Sequence, residues 1–234
     1  MGREPMTARL VEIRDIAPGV RHFVFELVDI ASFGFVPGQF VSFTHETNDN
    51  VLTRAYSLAA PPAANRFEIS LNKVEGGRFS PHLFSLQPGG ELPVTGPWGA
   101  FILREPVRDT LLVASGTGIV PFRAILMERL AKDNAHQFTL IHGTRYESTL
   151  LYGGEFESMR NAHPNFRYWP TLSRPHAAWA GRTGYVQRHI LEAVAGRSGI
   201  NVFICGLKAM VNEVRAMLKD AGFDRKQINY EKYD

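Results

Sequence analysis

Arg54-Ala55-Tyr56-Ser57 sets a cation, an aromatic ring and a hydroxyl on one short extended segment. That set suits a flavin. A flavin asks a protein for cover over its apolar ring, counter-charge for its phosphates and a polar contact at N5, the nitrogen that accepts hydride. Tyr56 can stack on the ring, and Ser57 can hydrogen-bond to N5. Arg54, two residues before Tyr56, shares its strand face and can reach phosphates. Taken alone, these four residues are more simply an ordinary edge strand with a surface arginine and a half-buried tyrosine.

Two further stretches weigh against that simpler reading. Gly77-Arg78-Phe79-Ser80 precedes a helix-like Pro81 to Leu86, with Ser80 as the expected N-cap. The free amides of a helix start hold a pyrophosphate, and capping and anion binding are compatible. About sixty residues after Ser57 comes Gly116-Thr117-Gly118-Ile119-Val120-Pro121, between an apolar strand and a helix. Its glycines let the backbone approach a dinucleotide, and Pro121 opens the helix where its missing N–H costs nothing. It is not the Rossmann G-x-G-x-x-G, because Pro121 takes the third glycine's place.

NADP carries a ribose 2′-phosphate that NAD lacks, so preference for it needs cations at that point. Arg145 follows one strand of the later half, Ser173-Arg174 follows the next, and Arg182 lies in Gly181-Arg182-Thr183-Gly184. A single arginine is more often a solvated surface charge. Three at successive strand ends favour NADP over NAD.

The elements that must position these residues divide the chain in two. Segments Arg9 to Ile16, Arg21 to Val28, Gln39 to His45, Ala55 to Ala59, Phe67 to Val74 and Glu91 to Thr95 are short and rich in Val, Ile, Phe or Leu. Pro-Gly, Gly-Gly and Gly-Pro turns separate them, and Phe23, Phe25 and Leu27 keep a partial period of two. Such strands favour a small barrel or sandwich. The pattern changes near Leu103, and Phe101 to Arg108 reads as the junction. Strands are expected at Thr110 to Ala114, Phe138 to His142, Phe166 to Leu172, Asn201 to Cys205 and Gln227 to Tyr233. Helices are expected at Pro121 to about Lys132, Tyr185 to Ala195 and Lys208 to Ala221, the last with Met210, Val214, Met217 and Leu218 on one face. Alternating strands and helices imply a doubly wound parallel sheet.

Composition narrows the function classes. Of 234 residues, 44% are hydrophobic and 21% charged, as in ordinary globular proteins. The net charge of +3 is too weak a bias for nucleic acid, although a basic patch can dock an acidic partner protein. Cys205 is the single cysteine, so no disulfide and no cysteine-ligated iron–sulfur cluster or zinc site forms within these residues. The eight histidines show no metal spacing, and no metal is expected. Residues 1–10 lack the apolar core of a secretory signal, and Met1-Gly2 is a poor myristoylation start because Met6 stands where Ser or Thr is wanted. No apolar run approaches membrane-spanning length, so a cytoplasmic protein with no membrane attachment is expected.

Pro37-Gly38-Gln39-Phe40, Arg54-Ala55-Tyr56-Ser57, Gly77-Arg78-Phe79-Ser80, Gly116 to Pro121 and Cys205-Gly206 occur in the order and spacing of the ferredoxin–NADP+ reductase family, which the chain resembles over nearly its whole length. The resemblance implies an α+β two-domain protein. Residues 1–102 would form an antiparallel six-stranded β-barrel for FAD, and residues 103–234 an α/β doubly wound parallel sheet for NADP(H). It implies FAD contacts from Arg54, Ala55, Tyr56, Ser57, Arg78, Phe79, Ser80, Thr117 and Tyr233. For NADP it implies Gly116, Thr117, Gly118, Arg145, Ser173, Arg174, Arg182, Cys205 and Gly206. Thr117 then lies beside both cofactors, and Cys205 shapes the nicotinamide pocket without acting as a covalent nucleophile. Tyr233 covers the flavin, with Tyr230 as a second candidate, and Glu231 matches a carboxylate that some relatives use near N5. The catalytic set is therefore Ser57, Cys205, Glu231 and Tyr233. The chain departs from the family by ending in Asp234 after the aromatic. Gly-Arg-Thr-Gly also resembles flavin reductases with relaxed coenzyme choice.

The expected activity is hydride transfer between NADP(H) and FAD, with one-electron exchange to ferredoxin or flavodoxin as an acidic carrier, by a monomer. The alternatives are an NAD(P)H:flavin or ferric reductase, the reductase component of an oxygenase system, and a non-catalytic flavin-binding module.

Overall fold

The structure is a computed structural model that describes residues 4–47 and 50–233. Met1-Gly2 and Asp234, weighed above, lie outside the described residues. The chain separates into two compact units. One runs to Leu103 and includes Val120–Glu128; the other holds Arg104–Ile119 and the chain from Arg129 onward.

The first unit is built on β1 (Met6–Ala17), β2 (Val20–Leu27), β3 (Phe40–Thr47), β4 (Asn50–Ser57), β5 (Arg66–Asn72) and β6 (Glu91–Trp98). They form one antiparallel sheet in the order β4-β3-β6-β1-β2-β5. A bridge between Leu58 and Ile69, and the Ala59 N–H to Glu68 carbonyl bond of 2.8 Å, join the end of β4 to β5. The sheet is thus closed into the expected barrel, which removes its free edges.

Phenylalanines fill this barrel. The Phe25 ring lies 4.9 Å from Phe43 and 5.5 Å from Phe67, centroid to centroid. The period of two along β2 is only partial because its other face is covered as well. His22 there is fully buried, with Nδ1 3.0 Å from Ser70 Oγ and Nε2 3.2 Å from Glu68 Oε2. Arg123 completes this polar layer, donating from Nη1 to Glu68 Oε2 at 2.9 Å and to the Ala59 carbonyl at 2.8 Å. Burial alone would raise the Glu68 carboxyl, but its hydrogen bond to His22 and the charges of His22 and Arg123 outweigh that and hold it at about 2.

The short helix α1 (Ser80–Ser85) follows β5. Its N-cap is Phe79, not Ser80 as the sequence suggested. Ser80 is turned inward instead, and its Oγ accepts the Val74 N–H at 2.9 Å. A buried hydroxyl satisfies a nearby loop amide here rather than the helix's own.

In the second unit, β7 (Thr110–Ser115), β8 (Phe138–Thr144), β9 (Phe166–Leu172), β10 (Arg182–Thr183), β11 (Asn201–Leu207) and β12 (Ile228–Tyr233) make a wholly parallel sheet. Its order is β10-β9-β8-β7-β11-β12. After β7 the chain builds outward to β8, β9 and β10, then returns to place β11 on the other side of β7. The crevice outside the carboxyl ends of β7 and β11 is therefore the switch point at which such sheets bind ligands.

Helices α2 (Val120–Leu130), α3 (Gly153–Ala162), α4 (Ile190–Val194) and α5 (Lys208–Asp220) accompany the parallel strands in sequence. The buried face of α5 is Met210, Val211, Val214 and Leu218, an i, i+4, i+8 stripe that packs with Val202 and Ile204 of β11 in one cluster. Two elements differ from the sequence reading. Tyr185 to Ala195 is not one helix but a 3-10 turn, Val186–His189, followed by the single turn of α4. Its first turn is tied inward by His189, whose Nε2 lies 3.1 Å from Thr171 Oγ1. Helix α3 and the two-residue β10 had no legible signal, because α3 opens on Gly153-Gly154 and buries only Phe156. Among the described residues, no helix is long and apolar enough to cross a membrane.

Candidate functional site

In the barrel, β4 carries the Arg54-Ala55-Tyr56-Ser57 set at its C-terminal end, where its pairing with β3 sets Ser57 opposite Phe40 and Tyr56 opposite Val41. Ser57 is buried, while Arg54 and Ala55 are exposed. Arg54 Nη1 donates to the Thr53 carbonyl at 2.8 Å. The Tyr56 ring leans on Phe43 and Phe79, 6.2 and 6.1 Å away. Burial pushes its phenol up to about 12, with the nearby charge of Arg54 pulling the other way. A neutral ring with a cation beside it is the donor set that an apolar ring with phosphates requires.

Phe79 is 3% exposed and its side chain belongs to the barrel core. Any contact of Phe79 or Ser80 with a ligand therefore runs through their backbone, whereas Arg78 is exposed. His45 and His82 stack beside Phe79 with centroids 3.6 Å apart. Sequence reasoning gave neither histidine a place.

In the sheet, the motif after β7 forms a 3-10 turn, Gly116–Ile119, that leads into α2 with a proline in its first turn. Gly118 has no room for a side chain, because a Cβ there would collide with the Cys205 carbonyl. Gly206, at φ +138°, would drive a Cβ into Ser115. Ser115 Oγ accepts the Leu207 N–H at 3.1 Å and so ties the end of β7 to the end of β11. Beside Gly116, by contrast, a Cβ would meet nothing within 4 Å. The two glycine turns interlock on one side and leave open backbone on the other, which fits a dinucleotide at this crevice. His142, fully buried in β8, is held down to about 4 by that burial, with Gly116's backbone favouring the charged form, and stays neutral beside the turn.

Cys205 of β11 lies in register with Glu231 of β12. Burial, then the Glu231 charge, raise the thiol well above its ordinary range, against a hydrogen bond from Tyr233. A thiol so disfavoured as thiolate is not a nucleophile. Burial also raises Glu231 to about 7. The pleat puts Glu231 and Tyr233 on one face of β12 and Tyr230 on the other. Tyr230 is covered by Arg215, whose guanidinium lies 3.8 Å from the ring centroid. The structure thus groups Cys205, Glu231 and Tyr233 and sets Tyr230 apart from them.

At the carboxyl edge of β8 to β10, the Arg174 N–H donates to the Arg145 carbonyl at 2.9 Å. Both arginines are exposed, and the Arg174 side chain bonds to Tyr146. Arg182 differs. Its Nη1 and Nη2 each lie 2.6 Å from a carboxylate oxygen of Glu192, and its guanidinium stacks 3.8 Å from the centroid of Trp169. Ser115, Glu192 and Trp169 went unnoticed in the sequence. Ser115 had a local signal, as the residue just before the glycine turn; Glu192 and Trp169 had none.

Residues 7–102 match the oxidoreductase FAD-binding domain and residues 112–216 the oxidoreductase NAD-binding domain. The chain is 39% identical to ferredoxin–NADP reductase B of Sorangium cellulosum, over 99% of this chain and 98% of that one. It is 29% identical to the toluate 1,2-dioxygenase electron transfer component of Pseudomonas putida, over 97% of this chain and 67% of the relative. The crystal structure of an Amycolatopsis cytochrome P450 reductase superposes with a TM-score of 0.89 at 29% identity, covering 98% of this chain and 69% of that one. Barrel, switch-point crevice and these matches define an oxidoreductase that joins an FAD-binding domain to a nicotinamide-dinucleotide-binding one. The chain belongs to the ferredoxin–NADP reductase family.

Proposed function

We propose that this protein is a ferredoxin (flavodoxin)–NADP+ reductase that works in the cytoplasm. FAD, when bound, supplies an N5 that exchanges hydride with nicotinamide and a ring that exchanges single electrons with a carrier protein. The chain's own residues bind and orient. Residues 1–102 form the FAD domain, in which Tyr56 covers the ring and the Ser57 hydroxyl bonds at N5; Tyr233, of the later residues, is the second aromatic assigned to the flavin. Arg54, Arg78 and the backbone at Phe79 and Ser80 hold the phosphates, and Ala55 leaves the strand face clear. Residues 103–234 form the NADP(H) domain, in which Gly116, Thr117, Gly118 and Gly206 take the pyrophosphate and nicotinamide. Cys205 limits the pocket as a neutral thiol. Arg145, Ser173 and Arg174 meet the 2′-phosphate, with Arg182 beside them. Glu231, raised to about 7 by burial, holds or releases a proton in the working pH range.

The observation that carries this reading is the match to the Sorangium reductase across 98% of that protein's length. A second reading, the reductase of an oxygenase system, is favoured by the match to the toluate dioxygenase component. The lone buried Cys205 means that an iron–sulfur centre within these residues is not available to either activity, so the carrier is a separate protein or segment. Anaerobic stopped-flow mixing with NADPH tests the reading. Rapid bleaching of the bound flavin, followed by reoxidation with ferredoxin faster than with free FMN or ferric chelates, is the expected result. A flavin that stays oxidised, or a protein that takes up no flavin, overturns it.

A further inference from the structure

Arg182 does not offer its charge as Arg174 does. It sits in β10 at the carboxyl edge of the parallel sheet, in register with Thr171 of β9. Three groups fix its guanidinium. Trp169 covers one face at 3.8 Å. Both carboxylate oxygens of Glu192 take its terminal nitrogens at 2.6 Å. His189 Nδ1 lies 3.4 Å from Nη1, on an imidazole whose charged form burial and the Arg182 charge both disfavour. The main chain is held too, since Trp179 Nε1 donates to the Arg182 carbonyl at 2.9 Å.

A bidentate carboxylate uses the same planar fork of N–H donors that a phosphate would use. The hydrogen bonds from Arg182 in turn hold Glu192 below the usual carboxylate range, so at neutral pH it is an anion. A ribose 2′-phosphate that approaches Arg182 must therefore compete with a carboxylate already in place and is repelled by it. A bare ribose hydroxyl meets no such repulsion.

We propose that Glu192 is a coenzyme-selectivity residue: its carboxylate occupies the fork of Arg182 in the manner of a 2′-phosphate, so that Arg182 adds little to the preference for NADPH over NADH that Arg145, Ser173 and Arg174 supply. The proposal rests on the dinucleotide reading of the carboxyl edge given above. Glu192 acts through Arg182 and is a positioning residue, and because it is exposed its replacement leaves the fold intact.

Calorimetric titration with 2′-phospho-AMP and with AMP separates the two claims. In Glu192→Gln, 2′-phospho-AMP binds about tenfold more tightly, the size of one charge-assisted hydrogen bond released to the phosphate, and AMP binds as before. In the double variant Glu192→Gln with Arg182→Ala that gain disappears. The turnover ratio of NADPH to NADH follows the same pattern. Unchanged or weaker 2′-phospho-AMP binding in Glu192→Gln, with AMP binding intact, overturns the selectivity role alone. Absence of binding by either nucleotide to the wild-type protein overturns the dinucleotide reading and this proposal with it.

Discussion

The strand end Arg54 to Ser57 and the crevice at β7 and β11 are built from opposite kinds of surface. On β4 the chemistry is in side chains: a cation, a ring and a hydroxyl, each held by ordinary strand pairing. At the switch point the surface is backbone, and its distinguishing feature is that Gly118 and Gly206 have no room for side chains while the space beside Gly116 is open. A side chain on a strand can be exchanged while the pairing survives. A glycine packed against another loop's carbonyl cannot be changed without moving both loops. Substitutions should therefore damage the two regions in different ways: loss of rate in one, loss of structure in the other.

Gly118→Ala should have the largest effect. Its new Cβ collides with the Cys205 carbonyl, which is backbone and cannot rotate away. Forced repacking of this kind costs about 1–3 kcal/mol or more. A clear drop in melting temperature is expected, with NADPH-driven flavin reduction lost and FAD retained. An alanine variant that melts and turns over like the wild type would show that the interlock is not needed.

Ser57→Val should come second and take the other form. FAD stays bound, the melting temperature moves little, and anaerobic hydride transfer slows about tenfold, the value of one hydrogen bond to the reacting centre. If the rate is untouched, the hydroxyl is not at N5 and the side-chain half of the contrast fails.

The same contrast explains what was legible in the sequence. The motif residues on β4 and around Gly116 are contiguous, so type and spacing exposed them, and the phenylalanine-rich strands and alternating strand–helix pattern exposed both halves of the fold. Ser80 reads as a helix cap in the sequence but lies one residue inside the helix and bonds Val74, because a preference for helix caps does not reveal that Val74 also needs an acceptor. Arg182 was found as a cation, but its neutralisation was not, because Glu192 is ten residues away on a helix whose shortness the sequence hid. Arg123, Glu68 and His22 meet only after the chain folds, and nothing local in any of them signals the buried layer they form. Contiguous chemistry can be read directly; chemistry assembled by topology waits for coordinates.

Glu231→Gln probes a place where the two kinds of surface meet within one unit, a side chain whose behaviour is set by backbone register against Cys205. Burial lifts the Glu231 carboxyl from its ordinary 4.5 to about 7. The folded protein thus favours the neutral acid. This contribution to stability is complete below about pH 4.5 and is lost as the pH rises through 7. Glutamine keeps the neutral shape and cannot ionise. Wild type and variant should match below about pH 4.5, separate as the pH rises from 4.5 to 7 and keep a constant gap above that, with the variant the more stable by about 1–2 kcal/mol at pH 8 once solvent screening is allowed for. The pH–rate profile should lose a step near 7 in the variant and change only a few-fold in height. Denaturant melts at several pH values decide the point. Parallel stability curves across pH 5 to 8 would mean that this carboxyl is solvated and ionised throughout, and that no proton is held beside Cys205 by Glu231 in that range.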